Sequence, residues 1–99
     1  MAKKVFLDLG QTVTTSGVAE LISQSPEYSD WVRDCLRRFT LCDWGDLEAE
    51  DKTLNDEAIN KQGEDAERVV ARYNYPGADI YIITEWDRSV TTILFPSEY

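Results

Sequence analysis

Apolar positions keep a helical spacing from about residue 17 to residue 61 and change to a strand-like alternation in the last third of the chain. Val5-Phe6-Leu7-Asp8-Leu9 is a short apolar run, and beyond Gly10 lies Gln11-Thr12-Val13-Thr14-Thr15, rich in β-branched residues. Both pieces read as extended chain. Thr15 or Ser16 can cap a helix over residues 17–22, with Glu20 near its first turn, and Ser25-Pro26 closes that helix or opens the next. Between about residues 27 and 41, Tyr28, Trp31, Val32, Cys35, Leu36 and Phe39 recur every three or four positions. Asp30, Arg33, Asp34, Arg37 and Arg38 fall on the other side, which predicts an amphipathic helix. Residues 51–61 carry a thin apolar stripe of Leu54, Ala58 and Ile59, the pattern of a surface helix ended by Gly63.

The period then becomes two. Val69, Ala71, Tyr73 and Tyr75 alternate, and Tyr75-Pro76-Gly77-Ala78-Asp79 has Pro and Gly in type II order. Ile80-Tyr81-Ile82-Ile83-Thr84 is apolar on both faces, as in a central strand. A second turn, Trp86-Asp87-Arg88-Ser89, leads to a last strand over residues 90–95. The predicted fold is α+β: an N-terminal extended segment, two to three helices, and a C-terminal three-stranded antiparallel meander with the helices packed on one face. Residues 1–99 form a single domain in this reading.

Charge narrows the choice of partner. Nineteen Asp and Glu against ten Lys and Arg give a formal net charge of -9. Such a field repels nucleic acid and anionic membrane and attracts basic surfaces. Direct DNA binding is therefore not expected. The start, MAKKVFLDLG, lacks the apolar core of a secretory signal, and no window approaches the roughly 20 apolar residues of a membrane span. A cytoplasmic protein is the expectation. Cys35 and Cys42 fit a reducing compartment as free thiols; on one helix they would stand about 10 Å apart, too far to bridge. Histidine is absent, which removes the commonest general base and zinc ligand.

The stretch Cys42-Asp43-Trp44-Gly45-Asp46-Leu47-Glu48-Ala49-Glu50-Asp51-Lys52 holds the densest chemistry. Counted from Asp43, its glycine is third where a calcium loop of EF-hand type needs it sixth, and Trp44 intervenes. No metal and no cofactor are expected. Helix chemistry explains more of it: Asp46 as a capping carboxylate, Glu48, Glu50 and Asp51 against the positive end of the dipole, Gly45 at a positive φ. Trp44 is either a core anchor or a contact for a partner. The acids continue, however. Residues 43–67 hold Asp43, Asp46, Glu48, Glu50, Asp51, Asp56, Glu57, Glu64, Asp65 and Glu67 against only Lys52 and Lys61. Duplex DNA carries one charge per about 1.7 Å, and an acidic helix face approximates such a density. Asp43, Trp44, Asp46, Glu48, Glu50, Asp51, Asp56 and Glu57 are the candidate partner-binding residues. An alternative ligand site consists of Arg33, Arg37, Arg38, Glu85, Asp87 and Arg88, although Asp30 and Asp34 stand where intrahelical salt bridges would form. Cys35 lies on the apolar stripe and Cys42 lacks an activating histidine, so no catalytic residue and no enzyme activity are expected.

The blocks LGQTVTTSGV, GDLEAEDKTLNDEA and IYIITEWDRSVTTILFPSEY together resemble a family of small proteins of bacterial genomes, plasmids and phages. Members are often described as plasmid-related proteins or type I restriction methylase subunits. The resemblance covers most of the chain and is weakest over residues 23–40. A methylase role conflicts with the residues, since a doubly wound cofactor domain needs far more chain and Asn74-Tyr75-Pro76 is not an Asn-Pro-Pro-aromatic motif. What the resemblance implies is a protein of a mobile element, in a bacterial host, near defence and counter-defence genes. The expected function is a non-catalytic, acidic DNA-mimic inhibitor of anti-restriction or anti-CRISPR type, docking on a basic nucleic-acid-handling protein. A small-molecule or nucleotide-binding module is the alternative, and a carboxylate/metal-dependent enzyme ranks behind it.

Overall fold

In the computed structural model, which describes residues 7–61 and 67–99, the chain runs β1 (Gln11–Thr14), α1 (Ser16–Gln24), α2 (Pro26–Thr40), α3 (Ala49–Ala58), β2 (Val69–Tyr73), β3 (Ile80–Thr84) and β4 (Val90–Leu94). A single 3-10 turn, Pro96–Glu98, follows β4. The helix boundaries have local causes. The Thr15 hydroxyl accepts from the Val18 N–H and caps α1; the Ser25 hydroxyl accepts from the Tyr28 N–H and caps α2, with Pro26 in the first turn. Glu27 at the start of α2 and Arg37 and Arg38 at its end both suit the helix dipole.

The strands form one sheet in the order β1-β4-β3-β2. The antiparallel meander β2-β3-β4 has the expected form, with Pro76 and Gly77 (φ 79°) in a turn closed by the Ala78 N–H to the Tyr75 carbonyl. The added element is β1, which pairs parallel to β4 with Gln11 opposite Val90 and Thr14 opposite Ile93. Alternation puts Val69, Ala71, Tyr73, Ile80, Ile82 and Ile93 on one face, where Val18, Tyr28, Val32, Cys35 and Phe39 from α1 and α2 cover them. The other face carries Val13, Val70, Tyr81, Ile83 and Leu94, with the Tyr99 ring edge-on to Tyr81 at 5.5 Å.

Thr84 and Thr91 are buried on the helix side of the sheet, with their hydroxyls 2.6 Å apart. Thr91 donates to the Leu9 carbonyl at 2.7 Å, so its one proton is committed and Thr84 is the donor between the two. This relay ties the chain entering β1 to the sheet.

Most element boundaries shift by one or two residues from the sequence pattern, and two elements differ by more. Residues 7–9 form no strand; Leu7 is buried, and its N–H donates to the Thr40 carbonyl at the end of α2. Val5 and Phe6 lie outside the described residues. The third helix starts at Ala49 and ends at Ala58, with Ile59 as its C-cap, so it stops before Gly63, which also lies outside the described residues. Its buried residues are Asn55 and Ala58, whereas Leu54 is 58 % exposed.

Candidate functional site

The turn from α2 into α3 is built on Asp43. The Arg38 guanidinium grips its carboxylate through both oxygens, at 2.8 and 3.3 Å, while lying 5.1 Å over the Tyr73 ring. The Tyr73 hydroxyl donates to the Asp43 carbonyl at 2.6 Å, and the Gly45 N–H donates back to the Asp43 carboxylate at 3.1 Å. The Arg38 hydrogen bonds hold the Asp43 carboxyl below its usual range. Trp44 points inward, 3 % exposed, edge-on to Phe39 at 5.5 Å, and its indole N–H donates to Asp56 at 2.8 Å.

Gly45, at φ 72°, bridges to Arg72 on the outer edge of β2. The Asp46 N–H donates to the Arg72 carbonyl at 2.7 Å, and its carboxylate accepts from the Asn74 N–H at 2.8 Å. Nearly two turns along α3, the Asn55 amide donates to the Val70 carbonyl at 2.9 Å. An edge strand left bare is a template for unwanted pairing, and this stretch covers that edge.

Two expectations are corrected here. Asp46 does not cap α3: the N-cap position is Glu48, whose side chain makes no capping bond, and the Asp46 carboxylate is taken by the edge of β2. Trp44 is not a surface contact for a partner, because it is packed in the core. Asp43 and Asp56 are held in internal bonds in the same way.

The carboxylates of Glu48, Glu50, Asp51 and Glu57 are exposed and have no hydrogen bond or ion pair among the described residues. Helix spacing sets Leu54 four residues after Glu50, three after Asp51 and three before Glu57, so an exposed apolar side chain sits amid those acids. Lys52 falls toward Glu48 and Asp56 instead. Beside this surface a groove of about 400 Å³ runs between α3 and the sheet, lined by Leu47, Leu54, Arg68, Tyr81 and Tyr99 among others. The stripe of Leu54, Ala58 and Ile59 is therefore only partly inward: Leu54 is exposed, and Asn55 takes the buried position beside Ala58. Of the other acids, Glu67 pairs with Lys61 at 2.7 Å, and Glu64 and Asp65 lie outside the described residues.

The alternative arginine set does not converge. Arg33 pairs with Asp30 (3.8 Å) and Arg37 with Asp34 (2.7 Å) on the exposed side of α2, while Arg38 turns away to Asp43. Glu85, Asp87 and Arg88 stand at the β3–β4 turn, with partners of their own. Asp87 accepts from the Ser89 N–H and hydroxyl, at 3.1 and 2.6 Å. Arg88, in left-handed backbone at φ 60°, donates to the carbonyls of Glu67, Glu85 and Ala58 and so latches the hairpin to the end of α3. That tie had no sequence signal, since the same arginine reads as an ordinary turn charge.

Among the described residues no group of three Asp, Glu, Cys or His side chains is placed to hold a metal ion, and no helix is long and apolar enough to cross a membrane. The cysteines are unbonded thiols: burial pushes Cys35 up to about 12 and also raises Cys42. Alkylation at pH 8 should therefore be slow for both in the folded protein and rapid in urea; fast labelling of Cys35 in the native state would contradict this packing.

The carboxyls of Asp43 and Asp79 are both depressed by arginines, Asp79 by Arg72 at 2.9 Å. A carboxyl lowered in the folded state adds stability that is complete above its unfolded value, about 4, and is lost as pH falls through the folded value. Urea titrations from pH 6 to 2.5 should show stability dropping below about pH 4, with Asp43→Asn and Asp79→Asn each flattening that acid limb. An unchanged limb would show that these pairs add nothing to folding.

Comparison with protein-family models, with curated proteins and with solved structures gave no match, so the reading of this site rests on its geometry.

Proposed function

We propose that this chain is a non-catalytic interaction protein of a mobile element, which docks the outward side of α3 on a basic surface of a nucleic-acid-handling protein. It would act there as DNA-mimicking inhibitors of anti-restriction or anti-CRISPR type do. The observation that carries this reading is a set of acids, Glu50, Asp51 and Glu57, left without internal partners on a helix that is anchored from behind. A helix rises about 1.5 Å per residue, so Glu50, Asp51 and Glu57 place three carboxylates within about 10 Å. That is about one charge per 5 Å, of the same order as the roughly 3.4 Å spacing of phosphates along a single DNA strand. Leu54 and the groove beside it add apolar contact at the centre of the charged ring, the arrangement in which a few desolvated contacts carry most of the binding energy.

The test is charge reversal. A Glu50→Lys/Asp51→Lys/Glu57→Lys variant should stay folded with a modestly lowered urea midpoint, because these side chains make no internal hydrogen bond or ion pair but two of the reversals set cations in the first turn of α3. It should lose capture of the basic partner pulled down from host cells by the parent. Parent binding should fall steeply between 0.05 and 0.5 M NaCl, roughly as screening requires, and DNA should compete for it. Capture that survives the triple reversal would eliminate charge mimicry.

A further inference from the structure

The two edges of the sheet are finished differently. Along β2 the outward backbone groups of Val70, Arg72 and Asn74 are met by Asn55 and Asp46. Along β1 no such cover exists among the described residues. The Gln11 N–H donates to the Ser89 carbonyl and the Thr15 N–H to the Ile93 carbonyl, both toward β4. Strand alternation then turns the N–H and C=O of Thr12 and Thr14 away from the sheet. All four residues of β1 are exposed.

We infer that β1 is a self-association edge, where two copies of this chain join their β1 strands antiparallel about a two-fold axis through Val13. Thr12 and Thr14 flank Val13 symmetrically, so Thr12 of each copy stands opposite Thr14 of the other. Each of these pairs exchanges both backbone bonds, and the two Val13 side chains lie side by side. Cross-strand Thr–Thr and Val–Val neighbours are favourable on such a ladder. The two sheets become one continuous sheet of eight strands.

Charge selects a second copy as the occupant. The chain carries -9, yet β1 and β4 contain no charged side chain; the carboxylates of Asp8, on the Gly10 N–H, and Glu98, on the Thr15 hydroxyl, stand only at the two ends of β1. The middle of this edge, around Val13, is where like-charged molecules approach at low electrostatic cost, whereas the proposed basic partner would be drawn to α3. The inference does not depend on the proposed function, and its salt dependence has the opposite sign.

Sedimentation equilibrium of the full chain between roughly 10 and 500 µM should show a monomer–dimer equilibrium that tightens from 0.05 to 0.5 M NaCl. Thr12→Pro removes an outward N–H without touching the ladder to β4, and should weaken association tenfold or more. Val13→Lys reduces the magnitude of the net negative charge, which by itself would ease self-repulsion. It should nevertheless weaken association to a similar extent, because two lysines then meet at the axis. Hydrogen exchange followed by residue supplies the readout that location requires. The Thr12 and Thr14 amides should gain protection as concentration rises, while the Gln11 amide stays protected throughout. A chain that remains monomeric at 500 µM in high salt overturns the inference, as does a dimer in which Thr12 and Thr14 exchange freely. Protection of those two amides only on adding a different protein would assign the edge to a foreign strand and overturn it as well.

Discussion

Replacing Trp44 with alanine should lower the stability of this protein by about 3–5 kcal/mol, the usual cost of truncating a buried large aromatic. A chain of this length has roughly 5–15 kcal/mol in total, so the variant should be partly unfolded at 37 °C. Trp44 is 3 % exposed, its ring meets Phe39, and its N–H reaches Asp56, so the side chain fixes the start of the acidic segment to the core. Trp44→Phe keeps most of the apolar volume and gives up the hydrogen bond, which should cost about 1–2 kcal/mol. Asp56→Asn retains an acceptor and should cost less again. Urea denaturation of the three variants tests the order. A loss below about 1 kcal/mol for Trp44→Ala would mean that the ring is not in the core. The same series bears on the proposed function: a folded Trp44→Phe protein should hold a basic partner as tightly as the parent, because the indole is not on the surface proposed to dock.

Gly45→Ala should be nearly as damaging, for a different reason. At φ 72° any side chain is strained, and a Cβ there would overlap the Arg72 carbonyl oxygen and come within 2.5 Å of the Tyr73 ring. The left-handed backbone costs about 1–2 kcal/mol and forced overlap another 1–3, so about 3 kcal/mol or more is expected. Gly77 supplies the control. It has nearly the same backbone, φ 79°, but a Cβ there meets nothing within 4 Å. Gly77→Ala should therefore carry the backbone cost alone, about 1–2 kcal/mol. Thermal melts should separate the two by roughly 4–8 °C per kcal/mol of difference. Equal shifts would mean that Gly45 serves only the turn and does not bring the loop against β2. Because Gly45→Ala also pushes the loop off the strand edge, that variant should aggregate more readily than Gly77→Ala at matched stability.

Much of the fold was legible because its signals are local. α2 announces itself by Tyr28, Trp31, Val32, Cys35, Leu36 and Phe39 at helical spacing, and the first hairpin by Pro76-Gly77 between two alternating runs. The pairing of β1 with β4 was not legible. Gln11 and Val90 are joined across most of the chain, and nothing in a four-residue strand of Gln, Thr and Val specifies its neighbour. Asp46 shows a second limit. A helix start and a bare strand edge both present unmet N–H groups, so a well-placed carboxylate advertises an acceptor without saying which donor it serves. Asn55 shows a third. Its amide is buried because it satisfies the Val70 carbonyl, and that one polar residue on the inner side was enough to turn the inferred stripe of α3 toward Leu54.

The way α3 is held has an evolutionary consequence. Two of the bonds that tie it down, from Asn55 and Arg88, end on main-chain carbonyls, of Val70 and Ala58, and the turn before it is joined to β2 mainly through backbone atoms. Main-chain atoms are present whatever the side chain. The outward residues Glu50, Thr53, Leu54 and Glu57 can thus be exchanged one at a time with little effect on folding, since fixed points behind the helix keep it in place. Under the proposed function, a lineage whose partner changed its basic surface could rewrite the facing pattern by single substitutions and keep the same scaffold.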